Sequence, residues 1–497
     1  MKSQSDIAAT TLGPNDVVCL ETSGSEDISA PTEKHVLFVA YEFPPTGGAG
    51  IQRTAKFVKY LPQFGWFPSV LTVSNPSVPV FDESLLQDVP EITRVVRAPT
   101  WEPGYGAKKL VGAGSENGNA NKFVGYLKRT LRDVANLILQ PDPQILWAPR
   151  SVQAGRRLLR ELPHQAIYAT GPPFSSFVIG YRLSRAFGLP LILDYRDEWS
   201  ISNRHRENRT RGAVSGWYQQ RLEKRILRHA SAVLATTRAS AHHLGSIART
   251  AGSRARVTHV YNGFDPTDFT RVNLGEARAA VDLFRVCYVG TLWNLTSVKP
   301  LVEAVRLLCT QAPSIADRLE LVFAGRRTEE QERLLDCLDG SPVRVVRRPY
   351  VEHEEAIRLL RSSSLLCLLL SDTAEASRVV PGKVFEYMAA RRPILAIAPE
   401  GEVWDLLKDC PSATCVRPTD VSAIAACLKT GLERLGGRSQ STEATFDISR
   451  FARPAQAGEL ASVLDGVTSR SITSDLVSRA ESGLLPMYPA AVGDESK

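Results

Sequence analysis

The chain has 497 residues, 43% hydrophobic and 23% charged, with a formal net charge of +7. That is too long for one ordinary core, so two domains with tails are expected; no apolar run reaches membrane-spanning length and the N-terminus lacks a signal-peptide core, which leads to the expectation of a cytoplasmic protein. The modest positive excess suits anionic partners such as nucleotide phosphates or acidic lipid, and equally a solvated basic surface; the eight scattered cysteines, some inside apolar runs (Cys287, Cys367), read as small core residues rather than disulfides or zinc ligands.

Residues 1–33 are polar, the composition of a disordered tail. "HVLFVA" (35–40) fits a buried parallel strand. The loop "YEFPPTGGAG" leads into "IQRTAKFVKYLPQFG", where Ile51, Ala55, Val58 and Leu61 fall three or four apart and share a helical face. "FPSVLTV" (67–73) is the next strand and completes a βαβ unit with a glycine-rich turn at the helix start. Further strands are predicted near 94–98, 166–169, 190–195, 231–236 and 256–260, with helices over 175–187 and 215–229. The Gly-rich stretch 101–120 reads as a mobile excursion. "KFVGYLKRTLRDVANLILQ" (122–140) mixes cations with apolar residues, and two readings stand: a basic helix lying on an anionic bilayer, or a helix packed on its own domain.

"YNGFDPTDF" (261–269) carries the turn signals Asn-Gly and Asp-Pro. From Phe284 a second series begins, in which "FRVCYVG", "LELVFAG", "VRVVRR", "SLLCLLL", "PILAIA" and "TCVRP" alternate with helices near 298–309, 328–338, 353–362 and 383–391. Such alternation predicts parallel sheets. The α/β chain thus divides into a tail (1–33), a doubly wound unit (34–265), a second one (266–469) and a tail (470–497). Ligand is expected at the carboxyl ends of the strands, in the cleft between the two units.

Four loops carry candidate chemistry. In "PPTGGAGIQR", Gly47, Gly48 and Gly50 allow close backbone approach at a helix start, either to a ligand or as a tight turn. The stretch fails as a dinucleotide fingerprint, because Arg53 stands where a third glycine belongs and the next strand ends in Ser-Asn. "DYRDEWS" (194–200) ends a strand in charges, with Arg196 and Asp197 either lining a site or bracing the loop as an ion pair. "GTLWN" (290–294), with Gly290 and Thr291, Lys299, and "GRR" (325–327), with Gly325 and Arg326, follow strands of the second series. Lys383 and Glu386 sit one turn apart on a helix, as an exposed salt bridge or as groups that neutralise a diphosphate and accept ribose hydroxyls. No Asp-x-Asp and no zinc spacing occurs, so no metal is expected.

With these residues in hand the chain resembles a bacterial family-4-type glycosyltransferase of the two-Rossmann-domain (GT-B) fold with a group 1 type C-terminal domain. The resemblance rests on "LFVAYEFPPTGGAGIQR", "ATGPPFSSFVIG", "LILDYRDEW", "YNGFD", "YVGTL" and "VVPGKVFEYMAARRPILAI", in the family's order from about 35 to 465. It implies a nucleotide-sugar donor (UDP or GDP) on the C-terminal unit and an acceptor on the N-terminal one, with retention and without a metal. The acceptor class covers polysaccharide, lipid-linked glycan and natural-product glycoside. Carried over, Arg326, Lys299 and Lys383 would stabilise the leaving diphosphate, and Gly290, Thr291, Gly325, Arg378, Val379, Val380 and Glu386 would border the donor. Gly47, Gly48, Arg53, Arg196 and Asp197 would lie on the acceptor or diphosphate side. The first acid of the family's paired-glutamate motif is Arg378 here, and a cation cannot accept sugar hydroxyl hydrogen bonds; it would bind phosphate or a charged sugar instead. A sugar-nucleotide epimerase of the same fold and a non-catalytic partner subunit are the alternatives. No nucleic-acid partner is expected, and membrane contact would be peripheral, at the inner face.

Overall fold

The computed structural model describes residues 33–78, 80–106, 139–205, 213–272, 282–435 and 446–481. The tail 1–32, most of the excursion 101–120 and the basic segment 122–138 lie outside the described residues.

Two parallel sheets organise the chain. The first holds β1 (Lys34–Val39), β2 (Trp66–Val73), β3 (Arg94–Ala98), β4 (Ala166–Gly171), β5 (Leu191–Tyr195), β6 (Ala232–Ala235) and β7 (Arg256–His259). Their order is β3-β2-β1-β4-β5-β6-β7. The second holds β8 (Phe284–Val289), β9 (Leu319–Ala324), β10 (Arg344–Arg348), β11 (Leu365–Leu369), β12 (Ile394–Ile397) and β13 (Ala413–Val416), ordered β10-β9-β8-β11-β12-β13. In both sheets the order reverses beside the first strand, which leaves a crevice at the carboxyl ends there. This is the doubly wound GT-B arrangement.

The helices in chain order are α1 (Ala49–Tyr60), α2 (Ala148–Glu161), α3 (Ser175–Phe187), α4 (Trp199–His205), α5 (Ala213–His229), α6 (Arg238–Thr250) and α7 (Pro266–Arg271). The second half adds α8 (Lys299–Gln311), α9 (Pro313–Ala316), α10 (Glu329–Asp336), α11 (His353–Arg361), α12 (Lys383–Ala389), α13 (Glu402–Leu407), α14 (Val421–Glu433) and α15 (Arg453–Glu481). The apolar runs became strands because both sheet faces are covered. In β1, Val36 and Phe38 join one core cluster while Leu37 and Val39 join the other, as the two-residue strand period requires.

The last helix does not stay with the second sheet. Leu460, Val463 and Leu464 of α15 are buried beside Phe57, Val58 and Trp66, against the first sheet. Each such side chain removed from water contributes about 1.5–3 kcal/mol. The chain therefore crosses between halves twice, and the crossings pair with each other: Phe264 N–H donates to Phe451 O (3.1 Å) and Arg453 N–H to Phe264 O (2.9 Å). Gly263 fits this junction because a Cβ there would lie 2.0 Å from Phe451 O.

Candidate functional site

At the carboxyl ends of the first sheet the charges satisfy one another. Arg53 is 2% exposed on α1 and grips Asp194 of β5 through Nε and Nη2 (2.8 Å to Oδ1), while Nη1 donates to Val260 O and Tyr261 O. Thr170 adds a hydrogen bond to Asp194 Oδ2. Arg196 donates to Gly50 O, Pro172 O and Glu42 Oε2, so it clamps the glycine loop to the strand end. Gly50 must be glycine for this contact, since a Cβ would lie 2.6 Å from Arg196 Nη1. Gly48, at φ +122°, opens α1 with no side-chain cap. Gly47 packs under Tyr350 of the second half, whose hydroxyl donates to Asp82 (2.9 Å). Arg53 and Arg196 thus hold the loop that carries Gly47 and Gly48, and Asp197 follows directly in the chain.

At the second sheet Lys383, Glu386 and Arg326 make no ion pair among the described residues. Gly290 and Gly325 end β8 and β9, each at φ +136°, and a Cβ on Gly325 would lie 2.3 Å from Gly290 O. No side chain fits between those two turns. Into the space over Gly290 comes Lys383: a Cβ on Gly290 would meet its Nζ at 2.5 Å. That Nζ donates to Tyr288 Oη (2.6 Å) and stands 3.8 Å from the Tyr288 ring centre. No carboxylate lies within ion-pair distance among the described residues, so burial pulls the ammonium down to about 7. Thr291 is exposed beside it, its carbonyl accepting from Tyr288 and Thr296.

The two arginines of "GRR" divide their roles. Arg327 is fixed by Glu332 (2.7 Å), Gly325 O and Arg348 O. Arg326 is exposed; its carbonyl accepts from Leu292 N–H (2.8 Å), and its one side-chain hydrogen bond among the described residues runs to Tyr105 Oη of the other half (3.4 Å). Lys299 opens α8 with its side chain 65% exposed and its ammonium 3.9 Å from Glu303. It touches neither Lys383 nor Arg326.

Glu386 lies one turn beyond Lys383, yet no ion pair joins the two, so the exposed salt bridge that the spacing allowed does not form. Burial pushes the Glu386 carboxyl up, while His353, Arg453 and Lys383 pull it down. Arg453 of α15 is 5% exposed, and burial followed by the nearby Arg53 pulls its guanidinium down to about 10. Next to it, Asp88, Asp265 and Asp268 come close enough together to hold a cation. The cation there is Lys56, whose Nζ stands 2.6, 2.7 and 3.0 Å from the three carboxylates. His353 Nε2 completes the group 3.0 Å from Asp268.

Arg378 does not reach toward Glu386. Its guanidinium makes a two-pronged pair with Glu198 of the first half, both contacts at 2.9 Å. Its carbonyl accepts from Thr237 (2.8 Å), the N-cap of α6. Glu402 of α13 accepts from the Arg238 and Ala239 amides of the same helix start. Val379 is half-buried and Val380 buried immediately after this contact. Sequence reasoning missed Tyr288, Tyr350, Glu402, His353 and Arg453, and read Glu198 only as one of the charges that end the strand over 194–200. The only signal available was that Tyr288 and Glu198 sat inside stretches already singled out; the others are joined to the site by contacts across the fold.

Among solved structures the chain is similar in fold to the N-terminal domain of trehalose-6-phosphate phosphatase from Candida albicans. That match has 11% identity and a TM-score of 0.50, covering 89% of this chain and 96% of that one. It is also similar to Anabaena HepE, solved with UDP-glucose (16% identity, TM-score 0.49, 89% and 99% covered). A third is the trehalose 6-phosphate synthase of Burkholderia multivorans (12%, 0.47, 91% and 99%). No curated protein matches. Residues 120–263 match the model of the glycosyl transferase 4-like domain, and residues 284–434 match that of glycosyl transferases group 1. The chain belongs to this glycosyltransferase family and is a glycosyl-transferring enzyme.

Proposed function

We propose that the enzyme moves a sugar from a nucleoside-diphosphate donor to an acceptor hydroxyl with retention of configuration and without a metal ion. The observation that carries this reading is Lys383: a half-buried ammonium with no carboxylate partner among the described residues, aimed at the glycine turn where the strand order reverses. Such a group is completed by an anion. The donor diphosphate would lie over Gly290 and Gly325 between Lys383 and Arg326, near the Val379 and Val380 backbone. Glu386 would accept the ribose hydroxyls.

In the transfer, the bond from the anomeric carbon to the diphosphate oxygen breaks and its electron pair stays with the diphosphate. Lys383 and Arg326 stabilise that charge as it develops. The acceptor oxygen bonds to the anomeric carbon, and its proton leaves to the departing phosphate. Gly47 and Gly48 present the facing wall. The acceptor class is a polysaccharide, a lipid-linked glycan or a natural-product glycoside. With a lipid-linked acceptor, the enzyme would work peripherally at the inner face of a membrane.

A thermal-shift panel of UDP, GDP and their sugars tests the donor, because a ligand that binds only the folded state raises its melting temperature. One nucleotide series is expected to stabilise the wild type and to lose that effect in Glu386→Ala. If no nucleotide stabilises the protein, or if Glu386→Ala leaves the shift intact, the reading fails. Product anomeric configuration by NMR tests retention.

A further inference from the structure

The outer layer of the first half carries a cationic and aromatic face that the transfer reaction does not use. Helices α2, α3 and α5 contain nine arginines and one lysine against two glutamates. The whole chain has a formal charge of only +7, so this layer accounts for the surplus. Of the two acids, Glu223 is buried beside Tyr195 and Glu161 pairs with Arg94. None of the ten cations makes an ion pair among the described residues. In the second half, by contrast, surface pairs do form, as in Arg347–Asp336, Arg348–Glu355 and Arg417–Glu400.

The start of α5 is turned inside out. Ser215, Gln219 and Glu223 face the interior, where Gln219 bonds Gln140 and Trp199. Val214, Trp217 and Tyr218 point outward, 66%, 60% and 46% exposed. Arg221 lies 5.5 Å over the Trp217 ring, and Arg185 and Arg225 flank the Tyr181 ring at 5.8 Å. Two shallow depressions meet at Tyr218 and Arg225, and among the described residues no carboxylate lines either.

We infer that this face docks on an anionic lipid bilayer, with the α5 arginines against headgroup phosphates and Trp217, Tyr218 and Val214 at the acyl boundary. The unpaired cations complement a dense field of negative charge. The outward aromatics need a partly apolar phase, and an anionic bilayer supplies both. A soluble polyanion would match the charge but leave Val214 and Trp217 in water.

The test is co-sedimentation of the full chain with vesicles of phosphatidylcholine, alone or mixed with phosphatidylglycerol. Binding is expected only with the anionic lipid, weakening with salt. Arg221→Glu/Arg225→Glu should reduce it by about tenfold or more. Trp217→Ser should weaken it at constant charge, and Arg417→Glu in the second half should not change it. Far-UV circular dichroism and melting confirm that each variant is folded. Absence of binding to anionic vesicles overturns the inference, as does binding that the α5 variants leave unchanged. Retention on heparin without vesicle binding also overturns it, in favour of a polyanion site.

Discussion

The two sheets end in charges at their carboxyl edges, and they treat them in opposite ways. Along the first sheet, Arg53 meets Asp194, Arg196 meets Glu42 and Glu198 meets Arg378. Along the second, Lys383 and Glu386 stand close on one helix without pairing, and Arg326 has only a tyrosine hydroxyl. Charges of the first kind hold a shape. Those of the second kind have no ionic partner among the described residues, and they lie in the half that the proposed function gives to the donor.

Substitutions can break or sharpen that contrast. The largest effect is expected from Arg53→Met, which leaves the fully buried Asp194 carboxylate unpaired and costs about 3–5 kcal/mol of stability in denaturant unfolding. Lys383→Met should leave stability equal or improved, because the ammonium is already disfavoured by burial. It should weaken donor binding in calorimetry by about 2–3 kcal/mol, roughly a hundredfold. The same lysine sets a pH dependence. In the free enzyme it loses its proton as pH rises past about 7, so donor affinity should be full below that point and fall by about tenfold per unit above it. Lys383→Arg should flatten the decline. Between about 7 and the ordinary lysine value of 10.5 the folded chain holds fewer protons than the unfolded one, so this residue's contribution to stability rises with pH across that window.

Arg378→Ala should cost about 1–2 kcal/mol, since Glu198 keeps its hydrogen bond from Ser240. If Arg378 served the sugar instead, stability would hold and donor affinity would fall. The smallest effect is expected at Lys299, whose exposed ammonium makes only a long pair with Glu303. Lys299→Ala should change stability by less than about 0.5 kcal/mol. A large loss of turnover there would move the donor phosphate toward α8.

Much of this was legible in the residues. The strands announced themselves as apolar runs, because a parallel sheet covered on both faces needs no alternation, and β3 and α3 lie where spacing put them. Gly290, Gly325 and Arg326 could be named because each follows a strand end directly, and Lys383 and Glu386 because they sit one turn apart on a helix. Arg378 could be flagged but not interpreted, since its partner Glu198 lies 180 residues earlier in the chain. The return of α15 to the first sheet was equally hidden: its pattern shows a helix but not which sheet it covers. For α5 a helix over 215–229 could be read but not which side faces out, and it is the polar side, Ser215, Gln219 and Glu223, that is buried.

The paired crossings at Phe264 and Phe451 set how the halves can part. A single strap would let one half swivel freely about its own bond torsions. Two straps laced side by side bend easily along their common line and resist torsion across it. Opening and closing should therefore follow one arc, like a door on a plate hinge, so that the two halves return to the same alignment each time.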